Sequence, residues 1–180
     1  MTLDAFVADV FKAQRAIGTF LGVEPKGLRI PVGYDKDLKD LPLLIMQLKR
    51  IGLKYVSSDL RSSHSFEGKV TIERQPHTYA NGLVEIPSVG LQDSSFTAEH
   101  ALKYGTQHMS GPECIAHFLA VAEQVAALGD SVFAPLCLHP WAVMEYDPTL
   151  GHTRDFIRRA RDLGHKFGTY GQIAHTFNPA

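Results

Sequence analysis

The spacing of apolar residues predicts alternating helices and strands in the first third of the chain. Thr2 can cap the amino end of a first helix, and Gly22 is a typical stop at its carboxyl end. In order, the pattern predicts a helix over 2–21, a strand over 28–31, a turn over 32–35, a helix over 39–51 and a strand over 53–57. A helix between two strands is typical of a parallel sheet, so we predict an α/β fold.

The rest of the chain is irregular up to residue 110 and regular after it. Ser110 and Glu113 have the spacing of a capping box, which predicts the start of a helix. The pattern predicts strands over 70–73 and 83–86, a helix over 111–128, a strand over 132–138, a loop around Trp141, a helix over 153–163 and a closing strand over 166–170. The sequence contains neither an internal repeat nor a linker, so we expect a single domain over residues 1–180.

Composition narrows the class of protein. Eighteen Lys and Arg against 19 Asp and Glu give a net charge of −1, which argues against a nucleic-acid partner. No apolar run approaches the roughly 20 residues of a membrane-spanning helix, so no membrane partner is expected. Residues 1–10 lack the pattern of a signal peptide, and the two cysteines cannot form a disulfide framework. We therefore expect a cytoplasmic protein.

The most distinctive local signal is the predicted strand that ends at His139-Pro140. Alternation along a strand places Cys137 and His139 on one face, and ligands bind at the carboxyl ends of parallel strands. His139 is therefore a candidate catalytic residue; the alternative is a structural histidine hydrogen-bonded at a strand end. A hydrolase that uses Cys137 with a histidine is also conceivable, although Cys137 is more simply a small buried residue.

Two further polar residues accompany the first two predicted strands. Arg29 can orient a carboxylate through bidentate hydrogen bonds, and Asp59 can hold a histidine or an arginine. The alternatives are an ordinary ion pair for Arg29 and a turn or helix cap for Asp59.

Nine histidines raise the question of a metal site. The usual ligand spacings, such as His-x-x-x-His and Cys-x-x-Cys, do not occur in the sequence. Glu113 and His117 lie one helical turn apart, but such pairs are usually surface interactions. A site assembled from distant positions in the middle of the chain stays open, with four histidines as candidates: His64, His77, His100 and His108.

These segments follow one another in a familiar order. They are Arg-Ile-Pro-Val-Gly (29–33), Gly-Leu-Lys-Tyr-Val-Ser-Ser-Asp (52–59), Gly-Leu-Val-Glu-Ile-Pro (82–87), Leu-Cys-Leu-His-Pro-Trp (136–141), Arg-Asp-Phe-Ile-Arg-Arg-Ala (154–160) and Lys-Phe-Gly-Thr-Tyr-Gly-Gln-Ile-Ala (166–174). Together they resemble the C-terminal part of the polysaccharide deacetylase family, the NodB-homology domain, from Asp4 to Ala174.

The resemblance implies a distorted (β/α) barrel and a metal-dependent hydrolase that removes acetyl groups from carbohydrates or cleaves other non-peptide C–N bonds. In that family a Zn-like divalent ion activates water, and a histidine at a late strand end protonates the leaving group. His139 matches that histidine, and Arg29 matches the arginine that orients the base. By the same resemblance Asp59 lines the pocket, Leu138 forms an apolar wall near the acetyl methyl group, and Trp141 flanks the groove.

The chain departs from the family at its beginning, because the paired Asp and the His-x-x-x-His motif that supply the metal ligands and the base do not occur in it. The resemblance therefore implies an incomplete barrel without its N-terminal strands, and a chain that is inactive alone. Three hypotheses follow: part of a deacetylase whose other half is separate or lost, an enzyme with a rebuilt site, or a remnant that binds carbohydrate or a partner. Exposed sheet edges predict a homo-oligomer or a partner that supplies the N-terminal half.

Overall fold

The computed structural model describes residues 2–34, 37–59, 75–90, 93, 97–104 and 108–179. They fall into two compact units: unit 1 takes its residues from 1–59, 76–87 and 168–180, and unit 2 from 60–75 and 88–167. Of the helices in these ranges, none has the length and apolar character that crossing a membrane requires.

Unit 1 begins with helix α1, Leu3–Leu21. Thr2 caps it, because its hydroxyl accepts a hydrogen bond from Ala5 N (3.3 Å). The helix ends at Gly22, whose left-handed φ of 67° lets its N–H reach Gly18 O (3.0 Å). Both ends of the predicted helix are therefore confirmed.

A four-stranded sheet forms the centre of unit 1. Its strands are β1, Gly27–Tyr34; β2, Tyr55–Asp59; β3, His77–Thr78; and β4, Val84–Glu85. The spatial order is β1-β2-β4-β3, with β1, β2 and β4 parallel and β3 antiparallel to β4. Helix α2, Pro42–Arg50, connects β1 to β2, as a parallel pair requires. The predicted α/β class is confirmed at this level.

Apolar side chains cover both faces of this sheet. One cluster joins α1 and α2 to the strands, and its fully buried members are Leu38, Leu48, Leu53, Val56 and Leu83. A second cluster packs helix α7, Tyr170–Phe177, against β2 and β4 through Val84, Ile86 and Ala174. Burial on both faces explains why these strands read as short apolar runs.

Unit 2 is helical in the part that the structure describes. Its helices are α3, Ala98–Tyr104; α4, Gly111–Leu128; α5, Pro140–Tyr146; and α6, Gly151–Asp162. Phe156 and Ala160 of α6 pack on α4, where Phe118 and Phe156 place their ring centroids 6.0 Å apart. The predicted capping box is present, since Glu113 accepts hydrogen bonds from Ser110 N and Oγ.

Three predictions for the last third of the chain are wrong. Residues 132–139 form no strand; the segment makes isolated backbone hydrogen bonds at Pro135 O and Cys137 O, and a proline lacks the N–H that a ladder needs. The predicted loop at Trp141 is helix α5, which Pro140 can begin because its missing N–H is not needed there. Residues 166–170 form no strand either, because Thr169 and Gln172 form a capping box that starts α7.

Boundaries also differ in unit 1. Strand β1 continues to Tyr34 where a turn was expected from residue 32, and β2 begins and ends two residues later than predicted. The predicted strand over 70–73 lies outside the described residues.

Candidate functional site

The site is built around His139, which precedes helix α5 in unit 2. Both carboxylate oxygens of Asp93 contact it: Oδ2 accepts the backbone N–H of His139 (2.5 Å), and Oδ1 lies 2.6 Å from Nδ1 of the imidazole. The Asp93 side chain is 0% exposed, whereas the His139 side chain is 35% exposed. A buried carboxylate thus holds a histidine that solvent can reach.

This contact decides which imidazole nitrogen can exchange a proton. An ionised carboxylate accepts hydrogen bonds and cannot donate them, so Nδ1 must carry a proton to bond Asp93. Nε2 of His139 is then the atom that gives or takes a proton at the surface. The second bond, to the backbone N–H, prevents the carboxylate from rotating away, so the orientation of the ring is set in advance.

An aromatic side chain lies directly beside the imidazole. The ring centroids of His139 and Trp141 are 5.6 Å apart, and the Trp141 side chain is more than half exposed. Leu138 is also exposed. An exposed indole offers a flat apolar face with a polar edge, the surface on which the apolar face of a sugar ring can stack. His139 and Trp141 are thus neighbours, and the predicted roles of Leu138 and Trp141 in substrate binding stay predictions.

Two other titratable groups of unit 2, Tyr146 and Cys114, have raised pKa values, which leaves His139 as the proton-transfer group of this site. Burial first, and then the nearby Asp93, Cys114 and Asp147, raise the pKa of Tyr146. Burial also raises the pKa of the Cys114 thiol to about 12, with Glu113 and Asp93 adding to the effect. Both groups are therefore protonated near neutral pH. Cys114 is a buried core residue rather than a nucleophile.

Arg29 and Asp59 lie in unit 1: Arg29 is the third residue of β1, near its amino end, and Asp59 is the last residue of β2. Arg29 Nη1 donates to Ser57 Oγ (2.5 Å), which in turn donates to Ile86 O (2.6 Å). Asp59 is buried, and its N–H donates to Glu85 Oε1 (3.1 Å). Within unit 1, these hydrogen bonds link neighbouring strands, and the predicted roles of Arg29 and Asp59 in substrate handling stay predictions.

Glu85 is a buried acid that sequence reasoning did not single out. Its carboxylate is 0% exposed and accepts four hydrogen bonds, from Ser58 N (2.8 Å), Ser58 Oγ (2.6 Å), Asp59 N (3.1 Å) and Tyr79 OH (3.0 Å). Burial raises the pKa of Glu85, against the lowering effect of these bonds. With every oxygen engaged by donors from β2 and Tyr79, Glu85 organises the sheet end in unit 1.

The histidines proposed as distant metal ligands have other partners where they are described. His77 Nε2 lies 3.2 Å from Asp37, and His108 Nε2 lies 3.7 Å from Glu145. His117 packs edge-on against Phe118, and burial lowers its pKa. His64 and the side chain of His100 lie outside the part of the chain that the structure describes.

The divalent ion that the resemblance implies finds no ligand set among the described residues. Within those ranges, no group of three or more His, Cys, Asp and Glu side chains is arranged to hold a metal ion. Asp93 and His139 contribute two such groups, and Asp93 already directs both oxygens to His139. The described residues therefore do not fit the divalent ion of the family.

Comparison of the chain with protein-family models, with curated proteins and with solved structures gave no match. The family resemblance therefore stays a prediction carried by the quoted motifs.

Sequence reasoning did not find Asp93. It lies 46 residues before its partner His139, in a segment without regular spacing, and contact over that separation leaves no local pattern. One signal was available: an acidic residue shortly after an apolar segment, in the irregular stretch where functional loops concentrate.

Proposed function

We propose that this protein is a polysaccharide deacetylase-like hydrolase that cleaves acetamide C–N bonds, or acetyl esters, of carbohydrates, and that His139 is its proton donor. Of the three hypotheses that follow from the resemblance, this is the enzyme with a rebuilt site, rather than a chain that is inactive alone. The observation that carries this proposal is the pair of hydrogen bonds between Asp93 and His139, with Trp141 beside them. The parallel strands β1, β2 and β4 are compatible with the distorted (β/α) barrel that belongs to the same proposal.

The proposed step is amide hydrolysis with His139 as a general acid. Water adds to the acetyl carbon, the C–N bond breaks, and its electron pair stays on the sugar nitrogen. That nitrogen takes the proton from Nε2 of the imidazolium, and the proton released by the water restores the imidazolium for the next turnover. Acetic acid and the amine are the products, and the acid passes its proton to the amine to give acetate and the ammonium form. Asp93 holds Nδ1 and so leaves Nε2 to transfer the proton.

A second function is supported by a specific observation, the exposed indole of Trp141 in a unit whose described residues offer no metal ligand set. In this alternative, the same surface binds carbohydrate without cleaving it. His139 then donates a hydrogen bond to a sugar hydroxyl or acetamide oxygen.

Acetate release tests the first function. The purified chain is incubated with N-acetylglucosamine oligomers and with acetylated xylooligosaccharides, after chelation and again with added Zn²⁺, Co²⁺ or Ni²⁺. We expect release that falls about 10²- to 10⁴-fold in His139→Gln, the range for loss of a general acid. His152→Gln is the matched control, since His152 is an exposed histidine of unit 2.

Trp141 is the only tryptophan of the sequence, so intrinsic indole fluorescence reports on this surface alone. Titration with the same oligosaccharides therefore tests binding separately from cleavage. Saturable quenching without acetate release would overturn the hydrolase and support the binding function. If neither signal appears, or if acetate release is unchanged in His139→Gln, the assignment of a carbohydrate site to His139 is wrong.

A further inference from the structure

Unit 1 contains a cavity that plays no part in the proposed function. Its volume is ≈ 290 Å³, and its lining residues are Lys26, Lys54, Tyr55, Gly171, Ala174, His175 and Asn178. It lies at the amino ends of the parallel strands β1 and β2, because Lys26 and Lys54 immediately precede the first residues of those strands. Helix α7 supplies the opposite wall.

The sheet register places two lysines side by side at this cavity. Gly27 and Tyr55 are partners in the parallel pair, and Lys54 N donates to Lys26 O (2.7 Å), so the two preceding residues are neighbours. Like charges on adjacent strands repel each other. Glu24, which does not line the cavity, forms an ion pair with Lys26. Lys54 has no ion pair with an acidic side chain of the described residues.

The remaining lining divides into an apolar floor and a polar rim. The Tyr55 ring and Ala174 belong to the apolar cluster between the sheet and α7, and Gly171 contributes no side chain. His175 and Asn178 stand at the carboxyl end of α7, where Asn178 N satisfies Ala174 O (2.9 Å). The described lining contains no carboxylate.

A neighbouring lysine shows the same excess of positive charge. Lys49 Nζ donates to Gly82 O (2.9 Å), and its pKa is lowered by burial first and by the charge of Lys54 second. An anion near Lys54 would relieve this repulsion.

We propose that this cavity binds a small organic anion, in which a carboxylate or a phosphate monoester contacts Lys54 and Lys26 while a flat apolar group lies on Tyr55 and Ala174. Lys26 and Lys54 set the charge of the ligand, and the apolar floor and the volume of the cavity limit its size. The site lies wholly within unit 1, so its ligand is independent of the His139 chemistry in unit 2.

Binding of three probes to the full chain tests the proposal by NMR of the backbone amides. Phenyl phosphate and benzoate carry the two anionic groups, and benzyl alcohol is the neutral probe. We expect saturable shifts at Tyr55, Gly171 and Ala174 with at least one anion, and binding about tenfold weaker with benzyl alcohol, because a charge-assisted hydrogen bond is lost. The tighter of the two anions identifies the headgroup.

Two variants test the site, and a third serves as a control. Lys54→Gln should weaken binding of the preferred anion about tenfold. Gly171→Leu should abolish it by filling the cavity, while the fold tolerates the change because an added Cβ meets only Thr169 Oγ1, at 3.8 Å. Lys12→Gln, on the exposed surface of α1, should bind like the wild type.

Equal binding of benzyl alcohol and the anions, or unchanged binding in Lys54→Gln, would overturn the proposal. The absence of any shift at the cavity amides in the wild type would also overturn it. Because His139→Gln lies in unit 2 and should leave these shifts unchanged, failure here can be distinguished from failure of the proposed hydrolase.

Discussion

Gly27 shows how one missing side chain permits the packing of unit 1. The Tyr55 ring lies over its Cα, so that an added Cβ would overlap ring atoms. From that position Tyr55 also approaches Tyr170 of α7, with ring centroids 6.2 Å apart. A glycine at the start of a strand is otherwise unfavourable, and its role here is to admit the ring.

Gly27→Ala should therefore destabilise the protein by about 1–3 kcal/mol, the usual cost of overpacking. Gly18→Ala is the matched control: its Cβ would meet only Val23 O, at 3.8 Å, and alanine is favoured inside a helix, so it should stabilise by about 0.5–1 kcal/mol. Urea unfolding measures both effects.

The explanation also requires that the cost of Gly27→Ala fall when Tyr55→Ala removes the ring. An unchanged cost in that background would show that the Tyr55 contact is not its cause.

The candidate site also depends on single residues. His139, Leu138 and Trp141 could be selected from the sequence because they form one local segment, Leu-Cys-Leu-His-Pro-Trp. Asp93 could not be selected, because its partnership with His139 is created by tertiary structure. The rotamer of His139, and hence the identity of the exposed nitrogen, depends on that distant residue.

Helix α6 shows how an element can be stabilised from outside its own sequence. Leu150 precedes it with a left-handed φ of 57° and supplies no side-chain cap. Asp147 takes that role: its carboxylate accepts hydrogen bonds from His152 N (3.2 Å), Thr153 N (2.7 Å) and Thr153 Oγ1 (2.8 Å). Two of the free N–H groups of the first turn are thereby satisfied, and negative charge meets the positive end of the helix.

Asp147→Ala should destabilise unit 2 by about 1–3 kcal/mol, because it removes the cap and leaves these donors without their acceptor. Asp155→Ala is the control on the same helix. Its carboxylate pairs with Arg158 and Arg159 on the surface, where an ion pair contributes about 0–1 kcal/mol. Trp141 fluorescence during urea unfolding measures both; equal losses would contradict the capping role.

The elements that could be predicted from sequence are those whose signals are local. The cap at Thr2, the stop at Gly22 and the box formed by Ser110 and Glu113 each act within a few residues, and all three are confirmed. The segment over 132–138 has the composition of a strand, but a strand also needs a partner, which composition does not specify. The capping box of Thr169 and Gln172 is equally local, but the apolar residues before it favour a strand in the sequence pattern.

At the scale of the whole molecule, two of the buried carboxylates, Glu85 in unit 1 and Asp147 in unit 2, have pKa shifts of opposite sign. In unit 1, burial raises the pKa of Glu85. In unit 2, burial of Asp147 alone would raise its pKa, but the hydrogen bonds from Thr153 and His152 outweigh that effect and lower it. Stability follows proton uptake, so the contributions of these two groups should change in opposite directions with pH.

The sign of each change in stability follows from comparing the pKa of the group in the folded and the unfolded state. Glu85 ionises in the unfolded chain at a lower pH than in the folded protein, so its contribution is fully present in acid and is lost as pH rises through the folded pKa. Asp147 ionises in the folded protein first, so its contribution is present at neutral pH and is lost as pH falls through the folded pKa. Acidification should therefore remove the contribution of Asp147 and restore that of Glu85.

Paired variants isolate these contributions from those of other titrating groups. Glu85→Gln should gain stability relative to the wild type as pH rises from acid to neutral, because it removes the cost of ionising a buried acid. Asp147→Asn should lose stability relative to the wild type over the same range, because the wild type gains a charged cap that the amide lacks.

Urea unfolding at a series of pH values, followed by Trp141 fluorescence for unit 2 and by the amide signals of Val56 and Val84 for unit 1, measures both differences. Each variant is compared with the wild type, so the two stability differences should have opposite signs even if the units unfold together. The same sign in both variants would show that hydrogen bonding does not shift the pKa values of Glu85 and Asp147 in opposite directions.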